Sequence, residues 1–177
     1  MKIFITSIPR LSTRFDYVRN HIANISELPY ETVGVDGMLI ERDTEYGSKH
    51  NPSYPSPQIG CALSHVAACR RIVEDGLSWA LVVEDDIVLP SFIDELLLEI
   101  SKVIRKGEII SLYNPTITRA EFAFDIKLCF KRNLSLLLPL DLKDIRTAAA
   151  YIIENEAARK IVNGNSPVRF LADDFNS

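Results

Sequence analysis

No stretch of the 177-residue chain approaches the roughly 18–20 consecutive apolar residues that a membrane span needs, so any membrane contact is expected to be peripheral. Cysteine is scarce: Cys61, Cys69 and Cys129 make an odd count and form no C-x-x-C pair. That argues against a disulfide framework or a thiolate zinc site and fits reduced thiols in a cytosolic protein. Cys61 and Cys69 read as small buried packing residues. The histidines, His21, His50 and His65, lack zinc-ligand spacing. Gly60 stands alone, without the further glycines of a dinucleotide fingerprint, and P-loop, G-x-S-x-G and H-E-x-x-H motifs are missing as well. An excess of positive charge is also lacking. The net charge of -4 argues against wholesale nucleic-acid binding, which wants a basic face. The apolar start, Met1 to Ile5, is too short for a signal peptide.

What is present is an ordinary globular composition, 47% hydrophobic and 25% charged, in a length that suits one domain. Lys2 to Ser7 reads as a strand, Ser12 or Thr13 as the cap of a helix to about Ala23, and Tyr30 to Val35 as a second strand closed by Asp36-Gly37. Residues 38–56 show no period and many turn formers, and are expected to be a flexible loop. Ser56-Pro57 then opens a helix that stops at Gly76. Ser91, with Asp94 and Glu95 in the first turn, opens another that ends by Gly107. Glu108 to Tyr113 reads as a strand, 116–140 as a hairpin or meander, Ala148 to Ile153 as a strand and Asn155 to Val162 as a helix. Strands alternating with helices predict an α/β domain with a mostly parallel sheet.

The most informative stretch lies mid-chain, from Trp79 to Pro90. Adjacent apolar residues predict a strand covered on both faces, and it delivers Glu84-Asp85-Asp86. Three carboxylates cannot be buried unpaired, so they belong at the carboxyl end of the strand, where open α/β sheets place ligand crevices. There they suit Mg²⁺ or Mn²⁺ with phosphate oxygens completing the shell, or they are merely an acidic turn. Asp173-Asp174 is a second acidic pair and a candidate general base. Arg10 and Arg14 follow the first strand, placed to reach phosphates or to sit solvated at a helix start.

Taken together, Arg14, Val35-Asp36-Gly37, Gly60-Cys61-Ala62-Leu63-Ser64-His65, Val82-Val83-Glu84-Asp85-Asp86, Thr147 to Ile153 and Asp173-Asp174 make an ordered set. In that order and separation the sequence resembles the bacterial glycosyltransferase family 25, the lipooligosaccharide galactosyltransferase group, over nearly the whole chain. The resemblance implies a GT-A-like, Rossmann-like nucleotide-diphospho-sugar transferase fold. It implies Mn²⁺ or Mg²⁺ on Asp86 and Glu84 and a UDP-sugar donor, with UDP-galactose the expected one. The donor-side residues it implies are Thr6, Arg10, Arg14, Asp36, Ser64, His65, Glu84 and Asp85. Asp173 or Asp174 would be the base toward a lipooligosaccharide acceptor, in the cytoplasm at the inner face of the inner membrane. Family members continue past the final acidic pair, so residues 1–177 are expected to be a single domain lacking the acceptor-side portion. Two competing readings are a non-catalytic sugar-nucleotide or cation-binding homologue and a Mg²⁺-dependent phosphatase of the haloacid-dehalogenase kind. The phosphatase needs an aspartate nucleophile opening an acidic motif on the first strand, whereas here the motif lies mid-chain and begins with Glu84.

Overall fold

The computed structural model describes residues 1–40, 54–114, 121–127, 134–142, 145 and 148–174. Its elements are β1 (Ile3–Thr6), α1 (Ser12–Ile25), β2 (Tyr30–Val33), α2 (Ser56–Glu74), β3 (Trp79–Glu84) and α3 (Ile93–Ile100). They continue with β4 (Ile109–Ser111), β5 (Phe122–Lys127), β6 (Ser135–Pro139), β7 (Ala150–Glu154) and α4 (Asn155–Gly164). Five strands form one sheet in the order β2-β1-β3-β7-β4, and β5 and β6 pair as a separate antiparallel hairpin. The hairpin fulfils the expectation for 116–140 as far as the described residues reach. Most of the predicted 38–56 loop lies outside them.

The β1 strand runs parallel to both β2 and β3, whereas β7 runs antiparallel to β3 and β4. The sheet is therefore mixed. Side chains alternate across it, as strand geometry requires. Ile3, Ile5, Leu81, Val83 and Ile152 face one side with Val18 and Ile22 of α1 and Ile93, Leu97 and Ile100 of α3. Phe4, Ala80, Val82, Tyr151 and Ile153 face the other, against α2 and α4. The four consecutive residues Ala80 to Val83 are fully buried, which is why that strand reads as a continuous apolar run rather than an alternating one. The result is a three-layer α/β/α domain, in keeping with the Rossmann-like fold that the resemblance implies. Among the described residues no helix is long and apolar enough to cross a membrane.

Element boundaries shift where a backbone group finds a partner outside the ladder. The β2 strand stops at Val33 rather than Val35, because the Val35 N–H turns to Ser64 Oγ at 2.9 Å. The β7 strand starts at Ala150 rather than Ala148, because the Ala148 N–H goes to Asp173 Oδ1 at 2.9 Å. The serines read as helix caps do not cap. Ser12 and Ser56 are the first residues of their helices, and the cap positions fall to Leu11, Pro55 and Phe92, none with a side-chain bond. At α2 the prolines supply the start instead, since Pro57 has no N–H to satisfy. Gly76 does stop that helix, at φ +62°, a conformation glycine adopts without strain.

Candidate active site

The parallel strands β1 and β3 end side by side, with Thr6 opposite Glu84 in the ladder. The residues that follow each strand, together with the start of α1 and the 35–38 segment after β2, enclose a cleft of about 230 Å³. This is the crevice at the carboxyl ends of parallel strands where α/β folds hold ligands. Thr6, Arg10, Arg14, Asp36, Ser64, Glu84, Asp85 and Asp86 all line it. Eight of the residues singled out from the sequence thus meet in one place.

Each acid of the central motif has a different environment. Asp85 is buried, 8% exposed, and survives there because Ser7 Oγ donates to its Oδ2 at 2.7 Å and Arg14 Nη1 approaches its Oδ1 at 3.5 Å. Asp86 is half-exposed and meets the same Arg14 nitrogen at 3.3 Å. Arg14, in the first turn of α1, thus bridges neighbouring carboxylates while it stands in the crevice. Glu84, the last residue of β3, has its Oε1 3.3 Å from Nε2 of His65.

His65 is fully buried on α2, its Nδ1 2.9 Å from the Tyr151 hydroxyl. It is a packed helix histidine that also touches the site. Ser64 lines the cleft, but its hydroxyl donates to the Gly60 carbonyl at 2.8 Å and accepts from the Val35 N–H. Its evident work is to tie α2 to the end of β2. Arg10 forks onto Asp36, Nε to Oδ2 at 2.6 Å and Nη2 to Oδ1 at 3.1 Å. That guanidinium, aided by the Met38 N–H, holds the Asp36 carboxyl below its ordinary range.

Asp173 sits in the 3-10 turn Ala172–Asp174 with Oδ1 fixed by the Ala148 N–H, and its charge is felt at Cys61. It does not line the cleft itself. The Asp174 side chain lies outside the described residues. Cys69 is buried as expected, but Cys61 is exposed to the cleft, one helical turn before His65. Enclosure by the cleft walls, then the negative field of Glu84, Asp173, Asp85 and Asp86, pushes its thiol up to about 12. Alkylation should therefore be slow: at pH 8 Cys61 is expected to react with iodoacetamide at least ~100-fold more slowly than free cysteine, which carries far more thiolate. Mass spectrometry of timed peptide digests measures this, and free-thiol rates would refute it.

Cys61 and Tyr151 are the residues at the site that sequence reasoning missed. Ser7 stands one residue beyond β1, where its proximity to the crevice was readable but its partner was not.

The donor atoms can be tested against a cation. Cys61, His65 and Glu84 place ligand atoms within 4.8 Å of one another. A thiol does not suit Mg²⁺ or Mn²⁺, which prefer oxygen ligands. Asp86 and Glu84 offer carboxylate oxygens at the cleft, which do suit a hard cation that takes its remaining ligands from phosphates and water.

A family model described as glycosyltransferase family 25 (LPS biosynthesis protein) matches residues 1–176. No match was found among curated proteins. With its acid-lined crevice at the strand ends and a family match along almost its full length, the chain belongs to glycosyltransferase family 25 and is a glycosyltransferase.

Proposed function

We propose that the cleft binds UDP-galactose through its diphosphate, in a GT-A-like manner, and that the enzyme transfers the galactose to a lipooligosaccharide acceptor. The observation that carries this reading is the convergence of Glu84, Asp85 and Asp86 with Arg10 and Arg14 around one crevice at the ends of β1 and β3. Arginines among carboxylates suit a ligand that carries both phosphate oxygens and a bound cation. Mn²⁺ or Mg²⁺ held by Asp86 and Glu84 would neutralise charge on the departing diphosphate. Arg14 would pass from its carboxylates to a phosphate as the donor arrives, while Ser7 keeps Asp85 satisfied. The Thr6 to Arg10 segment and Asp36 would border the nucleoside, the Arg10–Asp36 fork fixing that wall, and Ser64 would hold the helix beside it. Asp173 or Asp174 would take the proton of the acceptor hydroxyl in an inverting displacement. A lipid-anchored acceptor would bring the enzyme to the cytoplasmic face of the inner membrane by peripheral contact.

Calorimetric titration with UDP-galactose in the presence of Mn²⁺, followed by a transfer assay across UDP-sugars, tests the reading. UDP-galactose is expected to exceed UDP-glucose about tenfold in transfer rate, in line with the ~1–3 kcal/mol that pocket contacts distinguish. Binding of no UDP-sugar would overturn the donor reading. Binding without transfer would favour the non-catalytic homologue.

A further inference from the structure

We infer that Tyr151 is a positioning residue of the donor site: its hydroxyl holds His65 so that the imidazole Nε2–H fixes the Glu84 carboxylate at the cleft wall. The inference rests on the reading of that cleft as the donor pocket. Tyr151 lies in β7, 3% exposed, with its side chain on the α2 side of the sheet. Its hydroxyl is 2.9 Å from His65 Nδ1, and the rings lie 5.6 Å apart at 27°. From His65 the chain continues through Nε2 to Glu84 Oε1 at 3.3 Å, and Glu84 opens onto the cleft.

The proton positions along this chain follow from chemistry. An ionised carboxylate only accepts, so the His65 nitrogen facing Glu84 must carry hydrogen. In the neutral ring Nδ1 is then the acceptor, and the partner able to donate to it is the Tyr151 hydroxyl. Burial keeps that phenol protonated, raising it well above its ordinary value, so it remains a donor. The polar chain therefore runs one way, from Tyr151 through His65 to the cleft, and each link orients the next.

Its product is a Glu84 side chain with one oxygen occupied by His65. A carboxylate has about four acceptor positions, so others remain for a hydroxyl or a cation in the cleft. A side chain at a strand end would otherwise sample several rotamers, and ordering it would weaken binding. A phenylalanine would fill the same space in the core but leave Nδ1 without its donor.

A double-mutant cycle separates positioning from plain core packing. Tyr151→Phe is expected to raise the Kd for UDP-galactose with Mn²⁺ about tenfold, the loss of one well-placed hydrogen bond. In a Glu84→Ala background the same change should alter Kd less than twofold, because its route to the ligand is already cut. Equal losses in both backgrounds would overturn the inference. A second measurement needs no variant of the chain. In long-range ¹H–¹⁵N spectra of the wild-type protein, His65 should be the Nε2–H tautomer. His21 should be the opposite one, since its Nε2 accepts the Leu89 N–H at 2.9 Å. A bare Nε2 on His65 overturns the inference whatever the nucleotide does. The expected tautomer in a wild-type protein that binds no UDP-galactose overturns the donor reading instead, and leaves the clamp on Glu84 standing.

Discussion

Gly60→Ala is expected to destabilise the protein by roughly 3–4 kcal/mol, at or above the top of the ~1–3 kcal/mol typical of overpacking. A Cβ at Gly60 would lie 2.4 Å from Gly37 N, 2.7 Å from Gly37 Cα and 2.8 Å from the Val35 carbonyl oxygen. All three are backbone atoms, so no rotamer change relieves the clash. The approach from the other side is closer still, since a Cβ at Gly37 would stand 1.9 Å from the Ser56 carbonyl oxygen at the start of α2. The two glycines let α2 lie directly on the segment after β2, which also carries the Ser64–Val35 bond and the Arg10–Asp36 fork. Driving the helix away should therefore weaken UDP-galactose binding along with the fold. Alanine's better helix propensity, worth about 1 kcal/mol, works in the other direction and does not rescue the change. Gly164→Ala is the matching control. It is the last residue of α4, with nothing within 4 Å of an added Cβ, and should be neutral or stabilising. Urea unfolding of both variants checks the contrast, and a Gly60→Ala protein within about 0.5 kcal/mol of wild type would sink the packing argument.

That glycine marks where the sequence stopped being legible. The elements themselves were readable because their signals are local. Ala80 to Val83 announces a strand covered on both faces, and Ile93, Leu97 and Ile100 carry a helical period. The position of Glu84-Asp85-Asp86 was equally accessible, because three charges cannot stay inside a sheet and must emerge where the strand does. Their inequality was not. Asp85 and Asp86 are neighbours in sequence, yet one is enclosed by Ser7 and Arg14 and the other stands half in solvent. Those partners arrive from 78 and 71 residues away, a separation that no window of the sequence spans. The same holds for Asp173, whose grip on Ala148 delays the start of β7, and for Tyr151, whose hydroxyl meets His65 from 86 residues away. Cys61 reads from the sequence as a buried packing residue; it faces the cleft because α2 is one of the cleft's walls.

The difference between the two aspartates should separate stability from transfer. Asp86→Ala removes an exposed partner of Arg14, whose side chain is itself 57% exposed, and such pairs are worth ~0–1 kcal/mol. Its unfolding midpoint should hardly move. Its Mn²⁺-dependent transfer should fall by ~10²–10³-fold, as when one preorganised charge-stabilising group is lost from an active site. Asp85→Ala strands a buried Ser7 hydroxyl and leaves Arg14 only its Asp86 contact, and should cost about 1–3 kcal/mol of stability. Because Asp85 is already satisfied by protein groups, it has little left to offer a cation. The variant should keep the Mn²⁺ concentration dependence of the wild type even while its rate drops through misplacement of Arg14. Transfer rates measured against Mn²⁺ concentration, set beside urea midpoints, distinguish the two. If Asp86→Ala retained normal transfer and Asp85→Ala lost its response to Mn²⁺, the cation would belong to the buried aspartate. Ser7 and Arg14 would then have to release Asp85 each time the donor binds.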